Sequence, residues 1–223
     1  MIKLYIDWIS QPSRAVKAVL DILKVPHEVK ALKIQFDEHK SPEFTAIHPL
    51  QQLPVLQDGD FTVAESHNIM RYIIKQRNIS TNLYPLTDIR QQTRIDQYLD
   101  YHHTNTRRCL HLYHSVLISP IKGEKVIPEV LEKEKQDVAK VFQYFESNWL
   151  KGRNYICGDQ ATLADISACC EMMQLDMIKF DFQKYPITNA WLNRVIRIPE
   201  VYQAHHVAFK IIKKQNPSSQ FLK

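Results

Sequence analysis

Glycine is scarce in this chain, with 4 residues among 223. Dinucleotide-binding and phosphate-binding loops need several closely spaced glycines, so both are excluded. No apolar run approaches the ~18 residues that a membrane span requires. The N-terminal segment MIKLYIDWIS lacks the apolar core and cleavage site of a signal peptide. We therefore expect a globular protein without a nucleotide-binding loop or a targeting segment.

Cysteine is equally scarce, with four residues: Cys109, Cys157, Cys169 and Cys170. Their spacing is typical of neither a zinc site nor a redox pair. No C-x-x-C follows the first predicted strand, which argues against a thioredoxin-type oxidoreductase. We expect reduced, mostly buried thiols and hence a cytoplasmic protein.

Excess charge of either sign is also absent, because the formal net charge is only +5. The basic residues concentrate near the end, in FKIIKKQNPSSQFLK, which contains no nucleic-acid-binding motif. A solvated basic tail is favoured over a nucleic-acid patch. The hydrophobic share of 44% and the charged share of 24% are those of an ordinary globular protein.

Residues 1–78 change their hydrophobic period repeatedly, which indicates a small α/β unit. IKLYI predicts a strand, and Pro12 lies in the first turn of a helix that runs to about Lys24. HEVKALKI predicts a second strand, and a short helical turn follows Ser41 and Pro42. PVLQDGDFTV predicts a hairpin that turns at Asp58-Gly59, and Ser66 is expected to cap the helix HNIMRYIIKQR. The predicted order is β-α-β-(α)-β-β-α.

Residues 79–88 are polar and contain a proline, so they are the candidate linker. Residues 89–223 read as an all-helical unit, beginning with one long helix over 89–118 that Pro120 ends. Further helices are predicted to start near Leu131, Thr162, Pro186 and Pro199. Asp165 follows Thr162 by three residues and forms a capping-box pattern with it. The sequence thus predicts an α/β unit followed by a helical one.

Three positions in the first unit expose polar or main-chain groups where elements end. Pro54 begins a strand, and a cis bond to Leu53 would turn the main chain of Leu53 outward to pair with an extended peptide. Ser66 and the N–H groups of its helix form a carboxylate-binding site behind Glu65. Each position also has a purely structural interpretation. Pro54 can be a turn proline, and Ser66 and Ser10 can be helix caps.

These residues stand in motifs that resemble the cytosolic glutathione transferases, most of all the theta class. The motifs are LYIDWISQPSRAV, HPLQQLPVL, DGDFTVAESHNIMRYI and TLADIS, in that order, and the resemblance covers nearly the whole chain. It implies a thioredoxin-like N-terminal domain, a helical C-terminal domain and a homodimer. It also implies glutathione as co-substrate, with no further cofactor and no metal.

The resemblance also implies roles for individual residues. Ser10 stands where the family has its catalytic serine, two residues before Pro12. The glutathione contacts are assigned to six residues: His39, Gln52, Leu53, Pro54, Glu65 and Ser66. Gln11, Arg107 and His111 are assigned to the electrophile side. Asp165 corresponds to the family's structural capping box.

A serine hydroxyl suffices for the chemistry that the resemblance implies. A free thiol titrates near ~8.5, so little of it is thiolate at neutral pH. A hydroxyl that donates to the thiolate contributes ~1.5–3 kcal/mol, which lowers the thiol pKa by about one to two units. Ser10 is therefore expected to donate a hydrogen bond while the glutathione sulfur attacks the electrophile. Tyr5 and Ser13 are the rivals to Ser10, and both are expected to be structural.

Two departures from the theta pattern concern affinity and pocket shape. Where theta relatives often carry a lysine before the Leu53 position, this chain has Gln51 and Gln52. Glutamine brings no charge to the glycine carboxylate of glutathione, so we expect weaker binding and a larger share for His39. The chain ends in QNPSSQFLK, from which we expect an open pocket.

The electrophile side is predicted from one helix face. Spacings of four, four and three place His103, Arg107, His111 and His114 together on the predicted long helix. No carboxylate joins this set, so a basic cleft-lining face is favoured over a metal site. Arg107 is expected to bind a leaving group such as halide or sulfate. The predicted function is conjugation of glutathione to alkyl or aryl halides, with peroxides as a variation. The alternative is a non-catalytic relative that serves as a binding or scaffolding module.

Overall fold

The computed structural model describes residues 1–215, and the side chains of residues 1–211. Its described part contains one four-stranded sheet with the strands β1 (Ile2–Ile6), β2 (His27–Ala31), β3 (Val55–Asp58) and β4 (Phe61–Ala64). The sheet order is β2-β1-β3-β4; β1 and β2 are parallel and the other pairs antiparallel. Strand β1 pairs with both β2 and β3, and its residues Ile2, Leu4 and Ile6 are all buried.

Three helices complete the first unit: α1 (Gln11–Ile22), α2 (Pro42–Ile47) and α3 (Ser66–Gln76). The predicted order β-α-β-(α)-β-β-α and the thioredoxin-like fold class are confirmed. The hairpin turns at Gly59, whose φ of +67° is accessible to glycine at little cost. Local turn and cap signals therefore predicted this unit well.

The second strand is shorter than the sequence suggested. HEVKALKI pairs only over His27–Ala31, and Ile34 begins a 3₁₀ turn. Its partner β1 ends at Ile6, whose carbonyl accepts the N–H of Leu32 at 2.8 Å. Beyond that point the N–H of Ile34 donates to the Asp7 carboxylate at 2.8 Å instead. The strand ends because no further partner strand is available.

The second unit is helical throughout its described length. Its helices are α4 (Ile89–Thr104), α5 (Arg108–Tyr113), α6 (Ser119–Ile121), α7 (Pro128–Tyr144), α8 (Leu163–Met172), α9 (Pro186–Val195) and α10 (Pro199–Gln215). Short π-helical segments, His114–Ile118 and Phe145–Trp149, follow α5 and α7. No helix within 1–215 is both long and apolar enough to cross a bilayer.

The single long helix predicted over 89–118 is wrong, because the chain breaks between α4 and α5. Asn105 leaves the helical conformation with φ −119° and ψ −70°. Thr106 is fully buried, and its hydroxyl is 3.1 Å from that of Tyr98. The N–H of Arg107 then reaches back five residues to the carbonyl of His102 at 2.9 Å. Neither glycine nor proline marks this break, so no local signal in the sequence indicates it.

Helix α8 is the centre of the second unit, and all ten of its residues are buried. The predicted capping box is confirmed: the Asp165 carboxylate accepts both the N–H and the hydroxyl of Thr162. Its other oxygen accepts the N–H of Ile156 and the indole N–H of Trp191, each at 2.8 Å. The first unit packs on α8 through α1.

The described residues contain no helix or strand between Gln76 and Ile89, a region that includes the predicted linker, residues 79–88. Of the predicted basic tail, residues 209–215 belong to α10. The expectation of an open pocket next to residues 216–223 lies outside the described residues.

Candidate active site

A cavity of about 1040 Å³ lies where the two units meet. We call its lining residues from the segment 1–78 the N-terminal wall, and those from the segment 89–171 the C-terminal wall. The N-terminal wall holds nearly all the sequence-predicted site residues: Ser10, Gln11, His39, Gln52, Leu53, Pro54, Glu65 and Ser66. The C-terminal wall comes from α4, α5, α8 and the segments beside them.

Ser10 caps α1 and faces this cavity. It has extended dihedral angles, and its Oγ accepts the N–H of Ser13 at 3.4 Å. A hydroxyl that accepts a hydrogen bond still has its own proton to donate. Capping the helix and donating to a ligand are therefore compatible roles for the same side chain.

Arg14 and Asp7 hold the loop that carries Ser10, and the sequence analysis missed both. The Arg14 guanidinium is fully buried and donates to the carbonyls of Ile9 at 2.6 Å and Trp8 at 3.2 Å. It also donates to the carbonyl of Cys170 on α8 at 3.2 Å, and burial lowers its pKa. The Asp7 carboxylate accepts the N–H of Ile9 at 2.7 Å. The available signal for Arg14 was its position directly before the mostly apolar run AVKAVL of α1.

Leu53 and Pro54 lie at the cavity wall just before β3. Their peptide bond is cis. Within the described residues, the main-chain N–H and C=O of Leu53 have no hydrogen-bond partner. An extended ligand lying along this edge would find one donor and one acceptor at Leu53.

The start of α3 differs in one residue from the prediction. Ser66 is the first helical residue, and Glu65, with φ +65°, is the residue that precedes the helix. Ser66 is therefore not the cap, because the chain enters the helix through the left-handed conformation of Glu65. Ser66 is 8% exposed and lines the cavity, and helix α3, eleven residues long, presents its N-terminus there. The positive end of a helix favours a bound carboxylate.

Left-handed backbone occurs at three non-glycine residues of the N-terminal wall: Asp37 (φ +57°), Gln51 (φ +55°) and Glu65 (φ +65°). Each costs roughly 1–2 kcal/mol relative to a right-handed conformation, less for aspartate. Such conformations persist where the surrounding structure imposes them, and they cluster at functional sites.

His39 and Gln52 lie on the same wall. The Nδ1 atom of His39 is buried without a hydrogen-bond partner in the described structure. Gln52 is exposed, whereas its neighbour Gln51 donates its amide to the Thr45 hydroxyl at 2.9 Å. Of the two glutamines, Gln52 thus has the freer side chain.

The C-terminal wall contains Arg107 but not His111. His111 on α5 follows Arg107, but it is exposed to solvent and lies outside the cavity lining. His103, Arg107 and His114 do line it, together with the apolar Leu110, Tyr113 and Leu117. Of these two residues predicted for the electrophile side, Arg107 lies at the cavity and His111 does not.

A carboxylate that the sequence analysis did not place beside Arg107 lies there. Glu171 on α8 is 1% exposed, and its Oε2 accepts the Arg107 guanidinium at 3.0 Å. The imidazole Nε2 of His102 is 3.5 Å from the same oxygen. A charged residue in the apolar run ISACCEMM was the signal that was available.

The rival groups lie away from the cavity. The Tyr5 hydroxyl donates to Gln57 at 2.8 Å, its ring packs against Phe44, and Ser13 is fully buried. All four cysteines are buried and unpaired, none lines the cavity, and burial raises the pKa of each thiol. Among the described residues there is no cluster of three or more side chains able to hold a metal ion.

Comparison with known proteins finds similarity over the whole chain. The family descriptions "Glutathione S-transferase, N-terminal domain" and "Glutathione S-transferase, C-terminal domain" match residues 2–75 and 109–199. Glutathione S-transferase theta-1 of Bos taurus is 32% identical, over 100% of this chain and 94% of that protein.

Two solved human structures are similar as well. The apo form of glutathione S-transferase T1-1 has a TM-score of 0.87 at 30% identity, covering 99% of this chain and 94% of the other. The theta-class glutathione transferase in complex with the glutathione conjugate of 1-menaphthyl sulfate has a TM-score of 0.89, also at 30% identity. That match covers 96% of this chain and 89% of the other.

Proposed function

The chain belongs to the glutathione S-transferase family and is theta-like, and we propose that Ser10 is the residue that activates glutathione in it. The observation that carries this proposal is the position of Ser10. Its hydroxyl lines the cavity at the start of α1 and retains a proton to donate. The rival Tyr5 and all four cysteines lie away from the cavity.

Glutathione lies along the N-terminal wall in this proposal. The main chain of Leu53 pairs with the central peptide of glutathione, because both of its polar groups lack partners. Ser66 and the N-terminus of α3 bind the γ-glutamyl carboxylate, with Glu65 beside them to receive the ammonium group. His39 and Gln52 contact the glycine end. The unit of residues 1–78 holds the tripeptide, and residues 89–223, joined to it by the linker 79–88, complete the electrophile site.

The reaction needs no group of the protein to change its own protonation. The thiol loses its proton to solvent, and the Ser10 hydroxyl donates to the thiolate that remains. A bond of ~1.5–3 kcal/mol favours the anion and lowers the thiol pKa by about one to two units. The sulfur lone pair then forms the new S–C bond, and the leaving group departs with the electron pair of the bond that breaks.

The electrophile occupies the C-terminal wall. Leu110, Tyr113 and Leu117 offer an apolar surface, and Arg107 faces the leaving group. Gln11 also lines the cavity, although its amide donates to Gln174. This arrangement suits hydrophobic alkyl and aryl halides. The human relative that binds the glutathione conjugate of 1-menaphthyl sulfate supports an aromatic group at this place. Peroxides are a second class of substrate for the same thiolate.

Two further parts of the proposal rest on the family and on cysteine chemistry. A homodimer is expected of a theta-like glutathione transferase. Four buried, unpaired thiols favour a reducing compartment, which makes the cytoplasm the proposed location.

The test replaces Ser10 by alanine and follows the ultraviolet absorbance of thiolate in the glutathione complex against pH. We expect S10A to bind glutathione but to raise the pKa of its thiol by about one to two units. Because the thiolate fraction then falls about ten- to hundredfold below both pKa values, turnover of an alkyl halide near neutral pH should fall with it.

Ser13→Ala is the matched control, because it removes a hydroxyl one helical turn away that does not face the cavity. It should leave the thiol pKa unchanged. If S10A titrated like the unmodified protein, Ser10 would not activate the thiol. If the unmodified protein bound glutathione but turned over neither halides nor peroxides, the non-catalytic alternative would replace this proposal.

A further inference from the structure

A buried hydrogen-bond network connects the two walls behind the cavity. The Glu171 carboxylate accepts a hydrogen bond from the Arg107 guanidinium through Oε2 at 3.0 Å. Its Oε1 accepts one from the side-chain amide of Gln174 at 2.6 Å. The amide oxygen of Gln174 accepts the side chain of Gln11, the residue next to Ser10. The network thus runs from the catalytic loop through α8 to the guanidinium that faces the electrophile.

The charge state of this network follows from its partners. Burial on its own would raise the pKa of Glu171, but His102, Arg107 and Gln174 together hold the pKa below its ordinary value. Glu171 is therefore an anion at neutral pH. Arg107 has about a third of its side chain exposed to the cavity, whereas its anionic partner lies behind it at 1% exposure.

We propose that Glu171 determines which electrophiles the cavity accepts, by holding the Arg107 guanidinium in place and cancelling its charge. This proposal rests on the function proposed above. A lone guanidinium would attract any electrophile with a fixed anionic substituent. The Arg107–Glu171 pair is neutral overall, so an incoming anion gains attraction from Arg107 and repulsion from the carboxylate behind it. Neutral electrophiles are then favoured.

The pair still assists a neutral substrate. Its leaving group carries little charge on entry and becomes anionic as its bond to carbon breaks. Four of the five N–H groups of the guanidinium remain for that charge, since one N–H is directed at Glu171. Arg107 is thus positioned where charge develops, while the substrate is admitted without any preference for charge.

The test compares S-benzylglutathione and S-(4-carboxybenzyl)glutathione, which differ by one carboxylate on the ring, by titration calorimetry. The quantity of interest is the ratio of their dissociation constants. In the unmodified protein the carboxylate should bring no gain in affinity. In E171Q it should bring a gain of about tenfold, because Arg107 then forms an uncompensated charge-assisted bond.

Asp137→Asn is the matched control. Asp137 pairs at 2.7 Å with Arg108, the neighbour of Arg107, and lies outside the cavity lining. D137N changes the net charge by the same unit and should leave the ratio unchanged. A shift in D137N equal to that in E171Q would overturn the proposal, because a general field effect would then explain it.

A second pair of variants keeps the test valid if E171Q does not fold. R107Q leaves Glu171 in place without its cation and should weaken the carboxylated conjugate about tenfold relative to the neutral one. R107Q/E171Q removes both charges and should restore the original ratio to within about twofold. Equal ratios in R107Q and the double variant would show that Glu171 contributes no charge to the site.

Binding separates the two levels of the proposal, because it needs no turnover. If both conjugates bind and the ratio of their dissociation constants is the same in E171Q as in the unmodified protein, the role of Glu171 is overturned. Ser10 then remains the proposed activator. If the unmodified protein binds neither conjugate, the proposed function falls, and the role of Glu171 with it.

Discussion

The two walls of the cavity are built in different ways. The N-terminal wall is made of the ends of elements: the cap of α1, the residues before β3 and the first turn of α3. The C-terminal wall is made of side chains on helices, such as the Arg107–Glu171 pair, whose members are 64 residues apart in sequence. Main-chain groups survive most substitutions, whereas a side-chain wall changes with each one. In the proposed function, the N-terminal wall activates the thiol and the C-terminal wall selects the electrophile.

Arg14 joins the walls, so its replacement is expected to have the largest effect. Arg14→Met removes the donor from three carbonyls, those of Trp8, Ile9 and Cys170. At about 1 kcal/mol for each bond, the free energy of unfolding should fall by about 3 kcal/mol, measured by denaturant titration. Arg77→Met, which breaks an exposed pair with Asp58, is the control and should cost less than ~1 kcal/mol. Equal losses of unfolding free energy in the two variants would show that the fold does not depend on the hydrogen bonds of Arg14.

Acid should lower the free energy of unfolding because of a buried histidine near the junction of the two walls. His67 on α3 faces His102, His103, Arg71 and Arg107, and burial with these charges lowers its pKa from 6.5 to about 2. Below pH 6.5 this histidine is protonated in the unfolded chain but stays neutral in the folded one. The free energy of unfolding therefore decreases as the pH falls below 6.5.

Replacing His67 by phenylalanine should reduce this slope by up to about 1.4 kcal/mol per pH unit, measured by denaturant titrations between pH 6.5 and 5. His205→Phe removes a buried histidine remote from the cavity, with a pKa lowered to about 3, and should flatten the slope to a similar degree. A slope that H67F left unchanged would contradict the neutral state of His67.

Gln52→Lys tests the N-terminal wall alone. A lysine at this exposed position would meet the glycine carboxylate of glutathione, and an exposed ion pair is worth ~0.2–1 kcal/mol. The KM for glutathione should fall by up to about fivefold, while the KM for the electrophile stays unchanged. Gln52→Glu, with the opposite charge, should raise the KM for glutathione. If both variants acted alike, position 52 would not contact that carboxylate.

His111→Ala should have the smallest effect, because the side chain faces solvent outside the C-terminal wall. We expect kcat/KM for a benzyl halide to stay unchanged, whereas His114→Ala, at the cavity, should alter the KM for that electrophile. Steady-state kinetics at saturating glutathione measures both. A larger loss in H111A than in H114A would restore the original helix-face prediction.

The sequence was informative wherever the structure depends on local signals. The Asp58-Gly59 turn and the capping box at Thr162 are written in neighbouring residues, and the structure contains them. The same holds for the fold of the first unit.

The sequence failed where distant contacts decide. The break before Arg107 is accompanied by a buried contact between Thr106 and Tyr98, and it separates His103 from the segment that carries Arg107, His111 and His114. Arg14 and Glu171 acquire their roles only when α1 and α8 come together.

The three left-handed residues at 37, 51 and 65 have a consequence for how this protein responds to selection. Glycine would relieve the unfavourable dihedral angles at each place, so pressure for heat resistance alone would favour it there. In the proposed binding mode, the same changes would loosen the loops that hold glutathione. Selection for heat tolerance would thus raise the melting temperature and lower the affinity for the thiol substrate. This would apply at each of the three positions on the N-terminal wall.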